Sequence, residues 1–86
     1  MNEELESKYL ESRYMRTLAR IGHAGEDLHE IQMELERRHR SGDKPAGITA
    51  EEIGNAARRL NEAYLGGRRV LDQMRRERRR KEVNAT

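Results

Sequence analysis

"SGDKPAGITAEEI", residues 41–53, is the stretch that decides the fold of this chain. Its first half combines glycine, aspartate and proline, which together favour a turn. Gly42 follows four basic residues, 37–40, and cations are favourable in the last turn of a helix. The stretch therefore predicts that a helix ends at Gly42 and that the chain bends near Pro45.

The second half, "ITAEEI" at 48–53, has the pattern of a helix start. The side chains of Thr49 and Glu52 can each accept a hydrogen bond from the other's backbone N–H, which is a capping box. Ile48 and Ile53 have the spacing of a hydrophobic staple around it. We therefore expect the second helix to begin at Ala50.

The same rules organise the rest of the chain into one all-α domain, residues 1–86. Asn2, followed by several glutamates, indicates the start of the first helix. The predicted frame is a helix over about 3–40, a loop over about 41–49, a helix over about 50–82 and a short tail at 83–86. Because the loop is short, the two helices are expected to lie antiparallel as a helical hairpin.

Both predicted helices carry a coiled-coil seam, with apolar and small residues at alternating steps of three and four. If Leu35 faces Ile53, Gly22 lies beside Gly66, and Gly25 lies beside Ala63 and Tyr64. A glycine inside a helix costs about 1 kcal/mol relative to alanine, so these glycines favour a close helix crossing or a socket for Tyr64. The residues predicted to pack are Leu18, Ile21, Gly22, Gly25, Leu28, Leu60, Tyr64, Gly66, Gly67 and Leu71.

The stretch "YLGGRRVL" at 64–71 allows a second interpretation. Gly66 and Gly67 could break the helix and start a basic recognition helix at Arg68, as in a helix-turn-helix protein. The seam continues through Gly67 without interruption, which favours the hairpin.

The composition indicates that the hairpin associates further. Only 34% of the residues are hydrophobic and 40% are charged, with no Phe, Trp or Cys. A chain of this size with so small a core normally packs on additional helices, and a homodimer forming a four-helix bundle is the simplest solution. A second apolar stripe is a candidate partner face: Met15, Ala19, Met33 and Leu65.

The C-terminal helix is arginine-rich and offers a candidate nucleic-acid contact. The residues that would form it are Arg68, Arg69, Arg75, Arg76, Arg78, Arg79, Arg80 and Lys81. In the hairpin the same segment would lie against Glu3, Glu4, Glu6 and Glu11, so these cations could instead form intramolecular ion pairs. No aromatic side chain is interleaved with the arginines to stack on bases.

No pattern in the sequence indicates an enzyme. Glu26 and His29 have the E-x-x-H spacing of di-metal bundles, but on helical geometry they and Glu62 face away from the seams. His23 and His39 belong to no catalytic set, and no glycine-rich phosphate loop follows a strand. We expect no cofactor, no metal and no small-molecule substrate.

Taken together, these features predict a non-catalytic protein–protein interaction module, cytoplasmic and without a membrane segment. It would act as a small adaptor, inhibitor or assembly component that binds itself and a protein partner. Nucleic-acid binding through the arginine-rich helix is the alternative, and a structural subunit of a larger particle is a second one.

Overall fold

The computed structural model describes residues 3–84, except for the side chain of Glu4, and consists of two long helices. Helix α1 spans Glu3–Arg40 and helix α2 spans Lys44–Asn84. The two helices pack against each other along their length, so the prediction of an all-α helical hairpin is confirmed. Asn2 and the last two residues of the predicted tail lie outside the described residues.

The turn between the helices has only three residues, 41–43, and is centred on Gly42. Gly42 adopts φ = 108°, a left-handed conformation that glycine reaches without strain. The backbone N–H of Gly42 donates to His39 O at 3.0 Å, and that of Asp43 donates to Arg38 O at 3.1 Å. This pair of hydrogen bonds is a Schellman motif, which ends α1 and reverses the chain direction.

Helix α2 begins at Lys44, six residues before the predicted start at Ala50, so the predicted loop over 41–49 is too long. The carboxylate of Asp43 accepts a hydrogen bond from Ala46 N at 3.4 Å, and Pro45 sits in the first turn, where its missing N–H costs nothing. The predicted capping box is wrong, because Thr49 lies inside the helix and donates to Pro45 O at 3.3 Å. Ile48 is 68% exposed and forms no staple.

The earlier start of α2 has a tertiary cause. Ala46 and Ala50 are buried against the end of α1, with 5% and 2% of their surface exposed. Burying these two small side chains favours the start capped by Asp43 over the predicted start at Ala50, and lengthens the helix pair by more than a turn.

Helix α2 continues through Gly66 and Gly67 without a break. The helix-turn-helix interpretation, which needs a turn at that point, is therefore wrong. The two antiparallel helices lie side by side as an elongated rod, and the chain measures 67 × 18 × 12 Å with a radius of gyration of 19.3 Å. A compact domain of this length would have a radius of gyration of about 12 Å.

Little of the hairpin is fully buried. Among residues 3–84, the apolar residues that are buried are Leu18, Ala46, Ala50 and Leu71. The remaining seam residues are half-buried because each helix has only one neighbour.

Candidate functional site

The register of the hairpin differs from the predicted one by about two residues. Four contacts across the seam join residues whose numbers sum to 86, whereas the predicted sum is 88: Gly22–Tyr64, Gly54–Gln32, Gly47–His39 and Arg75–Glu11. The physical reason is the position of the bend, which lies at Gly42 and not near Pro45. The predicted contacts of Gly22 with Gly66, and of Gly25 with Ala63 and Tyr64, are therefore wrong.

Each helix instead places large side chains over glycines of the other helix. A methyl group built on Gly22 would lie 3.2 Å from Tyr64 Cε2, and one built on Gly54 would lie 2.5 Å from Gln32 Nε2. A methyl group on Gly67 would collide with Leu18 and lie 3.1 Å from the hydroxyl of Tyr14. The socket for Tyr64, which the sequence offered as one use of the glycines, is present at Gly22.

The other residues predicted to pack differ in how deeply they are buried and in whether they contact the opposite helix. Leu18 and Leu71 are buried, and Ile21, Leu28, Leu60 and Tyr64 are half-buried along the seam. Gly25 makes an ordinary contact with Leu60 Cβ at 3.7 Å. Gly66 is the exception, because nothing from the other helix lies within 4 Å of a methyl group placed there.

One side of the hairpin, here called the groove face, contains an open groove of about 750 Å³ near its middle. The floor of the groove consists of small residues and its rim is polar. Its lining includes Ala19, Gly22, Gly25, His29, Gly54, Arg58, Asn61 and Tyr64. The predicted partner stripe belongs to this side: Met15, Ala19, Met33 and Leu65 are all exposed, and at about 100° per residue they point toward the groove face. Polar residues separate them, and Met15 Sδ accepts a hydrogen bond from Arg75 Nη2 at 3.5 Å.

The opposite side, here called the aliphatic face, is the more continuous apolar surface. Helical geometry places Ile31 about 100° from the α1 seam on the side opposite Met33, and Val70 about 110° from the α2 seam on the side opposite Leu65. The apolar residues that share this face are Ala24, Leu28, Ile31, Leu35, Ile53, Ala56, Leu60, Ala63, Val70 and Met74. All of them are half-buried or exposed. Sequence reasoning missed this face because Leu28, Leu35, Ile53 and Leu60 were counted with the seam, which left their neighbours Ile31 and Val70 unassigned.

The arginine-rich segment divides into two groups. Glu11, with only 14% of its side chain exposed, lies between Arg75 and Arg78. Arg75 Nε donates to Glu11 Oε1 at 3.1 Å. Arg78 Nε lies 3.0 Å from Glu11 Oε2 without a suitable hydrogen-bond angle, so that contact is an ion pair. Arg78 also lies 3.8 Å from Glu82.

The other group faces solvent. Arg68, Arg69, Arg76, Arg79, Arg80 and Lys81 are exposed and form no ion pair within residues 3–84. Of the glutamates expected to face this segment, Glu11 does so, Glu3 and Glu6 are exposed, and the side chain of Glu4 lies outside the described residues.

The histidines and carboxylates of the groove do not converge on a point. His23 Nδ1 lies 3.7 Å from Glu26 Oε2, and both side chains are mostly exposed. Glu62 is exposed on α2. Within residues 3–84, no group of three or more metal-binding side chains is close enough to hold an ion.

The pKa of Glu34 is clearly lowered, from 4.5 to about 2. The cause is Arg37, whose Nε and Nη2 donate to the carboxylate at 3.0 and 2.6 Å. Because the pKa of the folded state is lowered, this pair supports the end of α1 above about pH 4.5 and the support is lost as the pH falls toward 2.

Comparison with known proteins adds no relative: no family model, no curated protein and no solved structure matches the chain. Over residues 3–84, neither helix has a stretch that is both long and apolar enough to cross a membrane.

Proposed function

We propose that this chain is a non-catalytic interaction module, a small adaptor, inhibitor or assembly component, that self-associates through its aliphatic face. The partner on that face is a second copy, and the product is an antiparallel four-helix dimer. The observation that carries the proposal is the contrast between four buried apolar residues and a half-exposed aliphatic face built by both helices. A core of four side chains is too small to stabilise a domain of this length alone.

The size of the aliphatic face suits a dimer. It covers residues 24–35 of α1 and 53–74 of α2, which in the observed register together span about 24 residue levels, or about 36 Å at 1.5 Å per residue, and the hairpin is 18 Å wide. Two such faces would bury about 1,300 Å² in total, within the range of stable protein interfaces.

The distribution of charge favours the antiparallel arrangement. The open half of the hairpin, residues 3–22 and 64–84, carries twelve basic and seven acidic residues, a net charge of +5. The loop half, residues 23–63, carries six basic and nine acidic residues, a net charge of −3. An antiparallel dimer places each positive half over a negative half, whereas a parallel dimer would place the two positive halves together.

The position of the two-fold axis follows from the small residues of the aliphatic face. Ala24 and Ala63 are exposed, lie at almost the same level in the observed register, and have the small side chains that a close crossing requires. An axis beside them brings Val70 against Ala56 of the partner subunit. It also brings Arg20 close to Asp27 of the partner subunit, and neither residue has an ion pair within residues 3–84 of the hairpin.

Sedimentation equilibrium of matched variants tests this proposal. Val70 and Leu65 are 47% and 48% exposed in the hairpin but lie on opposite faces. We expect the wild-type chain to be a dimer, Val70→Glu to be monomeric because it buries an unpaired carboxylate, and Leu65→Glu to remain dimeric. Ile31→Glu and Met33→Glu form a second pair with the same expected contrast.

The other outcomes would overturn the proposal in different ways. A monomeric wild type would remove self-association altogether. Loss of the dimer in Leu65→Glu and Met33→Glu, with Val70→Glu unaffected, would place the interface on the groove face. Growth beyond a dimer with concentration would favour the structural subunit of a larger particle.

A further inference from the structure

The geometry points to a binding stripe for the phosphate backbone of duplex nucleic acid, formed by Arg68, Arg69, Arg76, Arg79 and Arg80 on the groove-face side of α2. This goes beyond the proposed function, because the stripe lies away from the aliphatic face and remains accessible in the dimer.

The five arginines share one side of α2. Arg76 follows Arg69 by seven residues, which is close to two full turns, and Arg79 and Arg80 follow one turn later. The stripe from Arg68 to Arg80 is about 18 Å long. One strand of a duplex presents a phosphate about every 3.4 Å along the axis, so the stripe covers about five phosphates.

The structure separates these five from the arginines that support the fold. Arg75 and Arg78 form ion pairs with Glu11, whereas the five arginines of the stripe form no ion pair within residues 3–84. Two acidic residues, Asp72 and Glu77, lie within this segment of α2, and Glu77 accepts a hydrogen bond from Gln73. On α1, helical geometry turns Glu3 and Glu6 toward the aliphatic side, away from the stripe. The stripe therefore keeps a local positive charge although the chain has a net charge of only +2.

The chemistry of the stripe favours a phosphate backbone over the other acidic partners. A guanidinium group matches the oxygens of a phosphate with two parallel hydrogen bonds, and a regular row of them matches a regular row of phosphates. A membrane surface would require a continuous row of large apolar side chains beside the cations, whereas the exposed Leu65 and Val83 on this side of α2 lie only at the two ends of the stripe. No aromatic residue lies among the five to stack on bases, so recognition is expected to be independent of base sequence.

Fluorescence anisotropy with a 20-base-pair DNA duplex, measured over a series of KCl concentrations, tests the stripe. Five phosphate contacts predict that log K falls against log salt with a slope of about −4.5. The variant Arg76→Gln, Arg79→Gln, Arg80→Gln should flatten the slope by about 2.7 and weaken binding more than tenfold at low salt. The control is Arg40→Gln, Arg58→Gln, Arg59→Gln, which changes the net charge equally in the loop half and should leave the slope unchanged.

Several results would overturn the inference. They are absence of binding by the wild type at low salt, an equal loss in both triple variants, and tighter binding of polyglutamate than of DNA. A duplex RNA of the same length distinguishes a general phosphate site from one shaped for DNA. Circular dichroism confirms that each variant is helical, and Val70→Glu, which keeps the stripe, separates this result from a failure of self-association.

Discussion

At the scale of single residues, the glycines of this chain have different roles that depend on what faces them. Gly22, Gly54 and Gly67 each accommodate a large side chain of the opposite helix, so their lack of a side chain is required for packing. Gly66 is next to Gly67 in the same helix, yet it faces open space. Its helix-weakening effect is therefore not offset by any contact within the hairpin.

This difference predicts opposite effects for two neighbouring substitutions. Gly66→Ala should raise the free energy of unfolding by about 0.5–1 kcal/mol, because alanine is the better helix former. Gly67→Ala has the same helix propensity gain but forces Leu18 out of a buried position, so it should lower stability or give no gain. Urea denaturation of the two variants measures the difference. Equal stabilisation by both would show that Leu18 does not occupy the space above Gly67.

At the scale of the elements, the connection is held by one short motif. Gly42 ends α1. The carboxylate of Asp43 then caps α2 by accepting a hydrogen bond from the backbone N–H of Ala46, the first buried residue of that helix. The register of the whole hairpin depends on this motif, because moving the bend by one residue would change every pairing across the seam.

The position of the cap can be tested by substitution. Asp43→Ala should destabilise the hairpin by about 1 kcal/mol, which is typical of a lost helix cap. Thr49→Ala should be neutral or slightly stabilising, because Thr49 lies inside α2 and bonds only to Pro45 O. Thermal unfolding followed by circular dichroism measures both. The opposite ranking would mean that α2 begins at the capping box that the sequence contains.

At the scale of the whole molecule, a thin rod with a small core has two different long faces. The aliphatic face exposes apolar side chains of both helices to solvent. The groove face carries polar groups and the arginines that form no ion pair within residues 3–84. An antiparallel dimer would cover the first face and leave the second exposed on both sides of the bundle.

The chain contains no cysteine, so single cysteines can test the proposed axis without background. Ala24→Cys and Ala63→Cys should each form a disulfide-linked homodimer on mild oxidation, because an axis beside these residues places each near its own copy. Ala19→Cys, exposed on the groove face, should remain largely unlinked. Non-reducing electrophoresis gives the result. Faster linkage at Ala19 than at Ala24 would rule out the antiparallel packing proposed here.

The sequence by itself determined the features that depend on neighbours along the chain. The spacing of apolar residues predicted two long helices, and Gly42 after a basic turn predicted the end of the first. That Glu11 lies near the arginine-rich segment also follows from folding the chain near this point, because the two ends must meet, whereas its pairing with Arg75 and Arg78 depends on the register.

Only the tertiary structure decided the features that depend on contacts between the helices. The burial of Ala46 and Ala50 favours the start of α2 at Lys44, where Asp43 supplies the cap, over the start at the capping box around Thr49. That earlier start moved the bend to Gly42 and shifted the pairing across the seam, so that the numbers of paired residues sum to 86 and not to 88. As a result, side chains, not glycines, lie over the glycines. The physical reason is that local hydrogen-bonding patterns specify where a helix can start, whereas burial against a neighbouring helix selects among those starts.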